Sequence, residues 1–284
     1  MRKSRLRRIL SGFIMMNGSG WRMEAAPMIR MESCGKTDVG LRRSNNEDAF
    51  VSDPERGILA LADGMGGAAS GEVASGIFAD TVRELLFAGA PSAVEEAEGL
   101  VRNTFLLANR RIRELAARAP EHEGMGCTGE MVLFTVDRFV VGHVGDSRVY
   151  LFREDRLRQV TKDYSLVQEQ VDRGVLTPGE ARLHAYRHVL HRALGIHDAL
   201  AVDLLSGRAY PGDLLLLCSD GLTDMVGDLL IEERLASDLS LEAKAERLVR
   251  DACDAGGYDN VTVVLARVLQ VEGWIESQRG DGVG

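Results

Sequence analysis

Five acidic motifs lie far apart between residues 46 and 260: Asn46-Glu47-Asp48, Asp63-Gly64-Met65-Gly66-Gly67, Gly145-Asp146-Ser147-Arg148, Ser219-Asp220-Gly221 and Asp259-Asn260. A single Asp-Gly pair says little, because both residues are ordinary in turns. Most of these motifs, however, begin or end an apolar run of the kind that makes a strand. Carboxylates delivered by several strand ends suit hard cations such as Mg²⁺ and Mn²⁺, which take oxygen ligands. Without a cation the converging charges would repel one another. The pattern points to divalent metal.

Asp63 closes the run GILALAD, and the glycines after it let the backbone come close to a ligand, so the Gly64 carbonyl can join Asp63 at a metal. A plain strand-ending turn is the alternative for this segment alone. Asp220 repeats the pattern after DLLLLCS, and Asp259 stands at the mouth of the last strand. Glu47 and Asp48 are adjacent on a strand-like stretch, so their side chains point to opposite faces. At most one faces the metals; the other holds bound water or supports its neighbours.

The elements that must position these residues follow from periodicity. Strands are expected at Cys34–Gly40, Ala49–Ser52 and Gly57–Asp63. Val73, Ile77, Phe78, Val82, Leu85 and Leu86 then recur at helical spacing, as do Leu100, Val101, Phe105, Ala108, Ile112 and Leu115. Strands return at Met131–Val136, Phe139–Gly145 and Arg148–Arg153, with a two-residue turn at Asp137-Arg138 that implies antiparallel pairing. Residues 165–195 interrupt them with two short helical stretches, one opened by the capping-box spacing Thr177-Pro178-Gly179-Glu180. A strand at Asp213–Cys218, helices at Leu229–Leu235 and Leu241–Ala255, and a strand at Asn260–Val268 complete the body. Strands before, between and after helix pairs point to two sheets packed face to face and covered by helices.

The chain has 284 residues, 45% hydrophobic and 27% charged, which is ordinary for a globular protein. Its net charge of −9 is uneven: residues 1–33 hold seven Lys/Arg against two acids, which leaves the remainder at −14. So acidic a body is a poor general binder of nucleic acid. Cys34, Cys127, Cys218 and Cys253 are scattered without metal-ligand spacing and read as reduced thiols of a cytoplasmic protein. No apolar run approaches the roughly 20 residues that cross a bilayer. Within the basic N-terminal extension, residues 1–33, Arg2, Lys3, Arg5, Arg7 and Arg8 precede a short apolar run, Ile9–Met16, with no convincing cleavage site after it. It is expected to be disordered, or a mis-assigned start with translation beginning near Met28. Residues 34–270 are expected to form one domain with a flap at about 165–195, and residues 271–284 a flexible tail.

The order and wording of the motifs resemble the PPM-type (protein phosphatase type 2C) metal-dependent Ser/Thr protein phosphatases in their bacterial form. The resemblance runs from about Gly35 to Val268 and rests on TDVGLRRSNNEDAF, LADGMGGAASGEVAS, GHVGDSRVYLF, LLCSDGLTDMV and GGYDNVTVVL. It implies an α+β fold, an α-β-β-α sandwich of two antiparallel sheets flanked by helices, with a binuclear Mn²⁺ or Mg²⁺ centre at one edge. By resemblance, Asp63 matches the bridging carboxylate and Gly64 the backbone ligand of one metal, while Asp220 and Asp259 match ligands of the other. Asp146 matches the residue that joins Asp220 around a third, weaker metal. Arg43, four residues before Glu47, matches the arginine that holds the substrate phosphate; Glu47 and Asp48 support the centre. The implied reaction is hydrolysis of phosphoserine and phosphothreonine in proteins by a metal-bridging hydroxide. Two cations about 4 Å apart can lower the pKa of a shared water, and a guanidinium fork suits phosphate oxygens. The implied partners are phosphorylated substrates of a Ser/Thr kinase, met by a monomer with no membrane span.

Some positions depart from the family's pattern. Ala68 stands where bacterial members usually carry His, Cys127 and Gly129 replace commoner residues around Thr128, and Tyr164 occupies a place where His often precedes Ser165. Met65 follows the bacterial form, so leaving-group protonation falls to water. In the flap, His184 and His188 would stand one turn apart on a helix and suggest a zinc pair, but no carboxylate sits at the usual spacing. With Arg187, His191 and Arg192 they read instead as a basic patch for phosphopeptides, or as a solvated helix end. Two rivals remain: a phosphatase dedicated to a single regulatory phosphoprotein, and a non-catalytic phosphoprotein-binding module, which would be expected to lose metal carboxylates that this chain keeps.

Overall fold

The computed structural model describes residues 29–66, 70–85, 91 and 93–271. The basic segment up to residue 28, Ala68 and the tail from residue 272 lie outside the described residues. Two antiparallel sheets stack face to face. One has the order β1 (Arg30–Asp38), β11 (Val261–Gln270), β10 (Leu214–Cys218), β7 (Arg148–Arg153), β8 (Arg156–Gln159). The other runs β2 (Asp48–Asp53), β3 (Ile58–Met65), β5 (Gly129–Phe134), β6 (Arg138–Val144), β9 (Asp203–Arg208), with the short β4 (Gly126–Cys127) pairing the end of β3.

Helices cover both outer faces, which gives the α-β-β-α layering the sequence pattern implies. Helices α1 (Gly71–Leu85) and α2 (Val94–Ala116) lie on the second sheet, where Phe78 and Phe105 pack with Ala60, Met131, Leu133 and Val140. Helices α6 (Asp228–Ala236) and α7 (Leu241–Asp254), which follow the single-turn α5 (Asp220–Thr223), cover the first, where Ile231 and Leu248 meet Leu214, Leu216, Val263 and Leu265. The alternate residues Leu59, Leu61, Val132, Leu215, Leu217 and Val264 fill the layer between the sheets. Period-2 alternation sends neighbouring side chains to opposite faces. The central strands read as continuous apolar runs because both of their faces are covered. Gly129 is explained by the same packing, since a Cβ there would lie 2.9 Å from the Phe105 ring.

Four strands differ from expectation, the two-residue β4 among them. Residues 30–33, expected in the N-terminal extension, belong to β1, whose Arg30 and Met31 pair with Gln270 and Val268 of the long β11. β8 follows a tight turn in which Glu154 and Asp155 both have positive φ, 51° and 56°. Its charged sequence hides a strand, and charge on an edge strand discourages further pairing. β9 is likewise an edge strand, paired among the described residues with β6 alone.

The segment between β8 and β9 carries α3 (Leu166–Asp172), capped by Ser165, and α4 (Pro178–Arg182), capped by Thr177 and Glu180 through the reciprocal hydrogen bonds of a capping box. The segment leaves and rejoins the body as a short two-stranded neck, where Ser165 bridges Leu190 and the Leu166 amide donates to the Val189 carbonyl at 2.8 Å. Beyond it, Leu194 bridges Cys127. Among the described residues no helix is long and apolar enough to cross a membrane.

Candidate metal centre

One end of the sandwich collects the start of β2, the ends of β3 and β10, the β6–β7 turn and the residues before β11. A cleft of about 430 Å³ opens there, lined by Arg43, Glu47, Asp63, Gly64, Asp146, Asp220 and Asp259, with Thr128, Arg187, His188 and Asp224. Five distant stretches of sequence thus reach one cavity. Asp48 does not line it. It pairs with Asp63 across β2 and β3 and turns toward β10, where Ser219 Oγ donates to its Oδ2 at 2.9 Å.

Backbone geometry at the cleft is held by side chains whose tertiary partners no sequence motif declares. Asn260 joins three loops: its amide donates to the Val39 and Asn45 carbonyls at 3.0 and 2.9 Å, and its Oδ1 accepts from the Glu47 amide at 2.8 Å. The turn that carries Arg43 and Glu47 is thereby fixed to the start of β11. Thr128 Oγ1 accepts from the Asp63 amide at 2.8 Å and contacts Ser147 Oγ at 2.8 Å, linking the Asp63 and Asp146 loops. Gly64 admits no side chain, because a Cβ would lie 2.2 Å from the Gly71 carbonyl oxygen and 2.5 Å from that of Glu47. Such hydroxyl and amide contacts span up to 221 residues of sequence, and no local pattern announces them.

The electrostatics are unfavourable as they stand. Burial pushes the Asp48 carboxyl up to about 7; hydrogen bonds from Thr262 and Ser219 offset part of that, and Asp220 and Asp259 add to it. Asp63 is held well above the ordinary carboxylate range by burial, then by Asp48, Asp220, Asp146 and Asp259. Asp146 is raised likewise by burial and Asp220, with Arg148 opposing. Asp48 Oδ1 and Asp220 Oδ1 are shielded from solvent and have no hydrogen-bond partner among the described residues. Orphaned oxygens and mutually repelling carboxylates are what a set of cation ligands shows. The donor set is all oxygen, which fits Mg²⁺ or Mn²⁺.

Arg43 supplies the positive counterpart. Its Nη2 donates to Asp259 Oδ2 at 2.7 Å, a bond that raises the guanidinium's pKa further. With five N–H donors, it keeps others for a phosphate.

The flap reading changes. Helix α4 ends at Arg182, so His184 and His188 do not share a helical face. His184 Nδ1 accepts from the Tyr186 amide, while His188 lies 3.4 Å from Asp220 and 3.6 Å from Asp224. Atoms of His188, Asp220 and Asp224 fall within 4.8 Å of one another. Nor is the basic patch free: Arg187 pairs with Asp224, His191 with Glu169 and Arg192 with Asp203. The basic side chains of the flap face acids of the body and of the flap itself.

Comparison with known proteins gives consistent neighbours. The family model described as protein phosphatase 2C matches residues 41–270. The chain is 40% identical over 245 residues to the serine/threonine protein phosphatase PstP of Mycobacterium tuberculosis, covering 84% of this chain and 45% of that protein. It therefore spans about half the length of that relative. It is 36% identical over 238 residues to protein phosphatase PhpP of Streptococcus pneumoniae, covering 83% of this chain and 96% of PhpP. A crystal structure of the PstP catalytic domain in complex with two manganese ions superposes with a TM-score of 0.78 at 38% identity, covering 84% of this chain and 99% of that one.

Proposed function

The chain belongs to the protein phosphatase 2C family, and from that premise we propose that it is a metal-dependent protein serine/threonine phosphatase. The observation that carries the reading is the set of shielded, partly orphaned carboxylates converging beside Arg43. Asp63 and the Gly64 carbonyl would hold one cation and Asp220 and Asp259 another, with Asp146 joining Asp220 at a third. Two manganese ions in the PstP catalytic domain support this choice of cofactor. When bound, such cations supply an activated water and neutralise charge on the phosphate. Arg43 binds the phosphate oxygens and orients the phosphorus toward the carboxylate floor. Asp48, steadied by Ser219, and Glu47, whose amide is held by Asn260, keep that floor in place.

The substrates are phosphoserine and phosphothreonine proteins, the products of a Ser/Thr kinase, in the cytoplasm. The names of PstP and PhpP support the reaction class. The four cysteines are free, in keeping with a reducing compartment. Hydrolysis of p-nitrophenyl phosphate and of a phosphothreonine peptide, each with Mn²⁺ and with EDTA, tests the proposal. Turnover of both that EDTA abolishes is expected. No metal-dependent turnover would leave a phosphoprotein-binding module instead.

A further inference from the structure

Tyr164 is the departure from the family's wording that the metal centre does not account for. It stands at the neck of the flap. Its amide donates to the Gly145 carbonyl at 2.7 Å, next to Asp146, and its carbonyl accepts from the His191 amide at 2.8 Å. One residue therefore joins the outgoing leg of the flap, the returning leg and the loop that presents Asp146. The returning leg then meets Cys127, whose partner across the β3–β4 pair is Gly64.

The side chain adds a second set of ties. The Tyr164 ring stacks on His143, with centroids 5.3 Å apart and planes inclined by 18°. On the ring, Arg192 places its guanidinium carbon 4.1 Å from the centroid. The phenol donates to Asp203, which also faces Arg192 at 3.6 Å. His143 is itself fixed. Its Nδ1 meets Glu130 at 2.6 Å, both side chains being fully buried, and its Nε2 lies 2.7 Å from the Lys162 carbonyl. Burial alone would discharge the imidazole, but the Glu130 charge and hydrogen bond outweigh it and raise His143 to about 9. A charged imidazolium and a guanidinium both favour an aromatic face.

We propose that Tyr164 is a positioning residue: held by His143, Arg192 and Asp203, it seats the flap on the body and so fixes the Asp146 loop at the cleft. The stack spans β6, the flap neck and β9, so loosening it frees the flap and Asp146 together. The kinetic arm of the test rests on the phosphatase reading; the exchange arm does not.

The experiment compares full-length wild type with Tyr164→Ala, Tyr164→Phe and Arg192→Gln. Amide hydrogen exchange without metal reads the flap, and the Mn²⁺ concentration giving half-maximal turnover of p-nitrophenyl phosphate reads the Asp146 side. In Tyr164→Ala, exchange over residues 165–191 is expected to quicken about tenfold while α7 and β10 keep wild-type rates. The Mn²⁺ requirement rises severalfold, and Arg192→Gln moves both readouts the same way by less. Tyr164→Phe keeps the ring stack and loses only the Asp203 hydrogen bond, so it is expected to move both readouts by less than Tyr164→Ala. Unchanged exchange and Mn²⁺ requirement in Tyr164→Ala and Arg192→Gln would overturn the proposal. So would acceleration shared equally by α7 and β10, which marks a merely structural residue. Should Tyr164→Ala not fold, Arg192→Gln decides on the same criteria. Wild type without metal-dependent turnover would sink the phosphatase reading alone, and exchange would still decide the role of Tyr164.

Discussion

Asp48 and Glu130 stand on strands of the same sheet, and burial pushes both carboxyls up to about 7. Each keeps one shielded oxygen without a hydrogen-bond partner among the described residues. Their neighbours then part company. Glu130 lies opposite His143 in the β5–β6 register and holds its imidazole at 2.6 Å. Asp48 has only hydroxyl relief, from Ser219 and Thr262, against the charges of Asp220 and Asp259. In the layer between the sheets the chain carries its own cation. At the cleft, on the proposed reading, it would take one from solution. A buried acid is therefore no sign of a metal site until its partners are counted.

The largest effect should come from the cleft. Asp63→Asn or Asp220→Asn is expected to lower metal-dependent turnover by ~10²- to 10³-fold, since electrostatic contributions of this kind weigh that much in catalysis. Each change also removes a repelling charge, so the metal-free variant should melt no lower than wild type by calorimetry. Near-normal turnover would break the metal assignment, and an unfolded variant would show these carboxylates to be structural. Arg43→Ala is the next step down. Loss of a charge-assisted hydrogen-bonding group costs about 2–3 kcal/mol, or ~30- to 150-fold in kcat/KM. Mn²⁺ affinity measured by titration calorimetry should hold, because Asp259 is released rather than lost. A fall in Mn²⁺ affinity equal to the fall in kcat/KM would move Arg43 from substrate to scaffold.

Metal removal sharpens the contrast at a smaller scale. A cation at 100 times its dissociation constant stabilises the chain that binds it by about 2.7 kcal/mol. Wild type should therefore melt several degrees higher with Mn²⁺ than with EDTA. Asp220→Asn should lose most of that rise, and Glu130→Gln should keep it. A rise lost in Glu130→Gln would mean that the two groups of acids are one.

The metal cleft was far more legible in sequence than the buried pair. Asp63, Asp220 and Asp259 each close or open an apolar run, so strand periodicity alone places them at sheet ends. The Thr177 capping box was visible for the same reason: its signal lies within four residues. Glu130 and His143 become partners only through the register of β5 against β6, which no local spacing declares. Asn260 and Ser219 show as members of their motifs, but their bonds to Asn45, Glu47 and Asp48 are tertiary. β8 escaped notice because its sequence, RLRQ, lacks an apolar face. His184 and His188 stand at helical spacing in sequence, but α4 ends at Arg182 before either.

The Glu130–His143 pair also has a signature in pH. His143 is raised from an ordinary value near 6.5 to about 9 in the folded chain. Above pH 6.5 the unfolded chain has released a proton that the folded chain still holds, so rising pH favours unfolding. The contribution is complete below pH 6.5 and is lost as pH climbs through 9. Glu130, raised by burial toward 7, pushes in the same direction at lower pH. The slope amounts to about 1 kcal/mol per pH unit between 7 and 8. Urea unfolding in saturating Mg²⁺ keeps the cleft carboxylates ionised, so they do not contribute to the change. Glu130→Gln removes the acid that holds the imidazole charged; burial then favours neutral His143, and the slope should flatten. The comparison is the difference between wild type and variant, which cancels the thiols and tyrosines common to both. Parallel curves would show that the pair holds no extra proton, and the contrast with Asp48 would then rest on geometry alone.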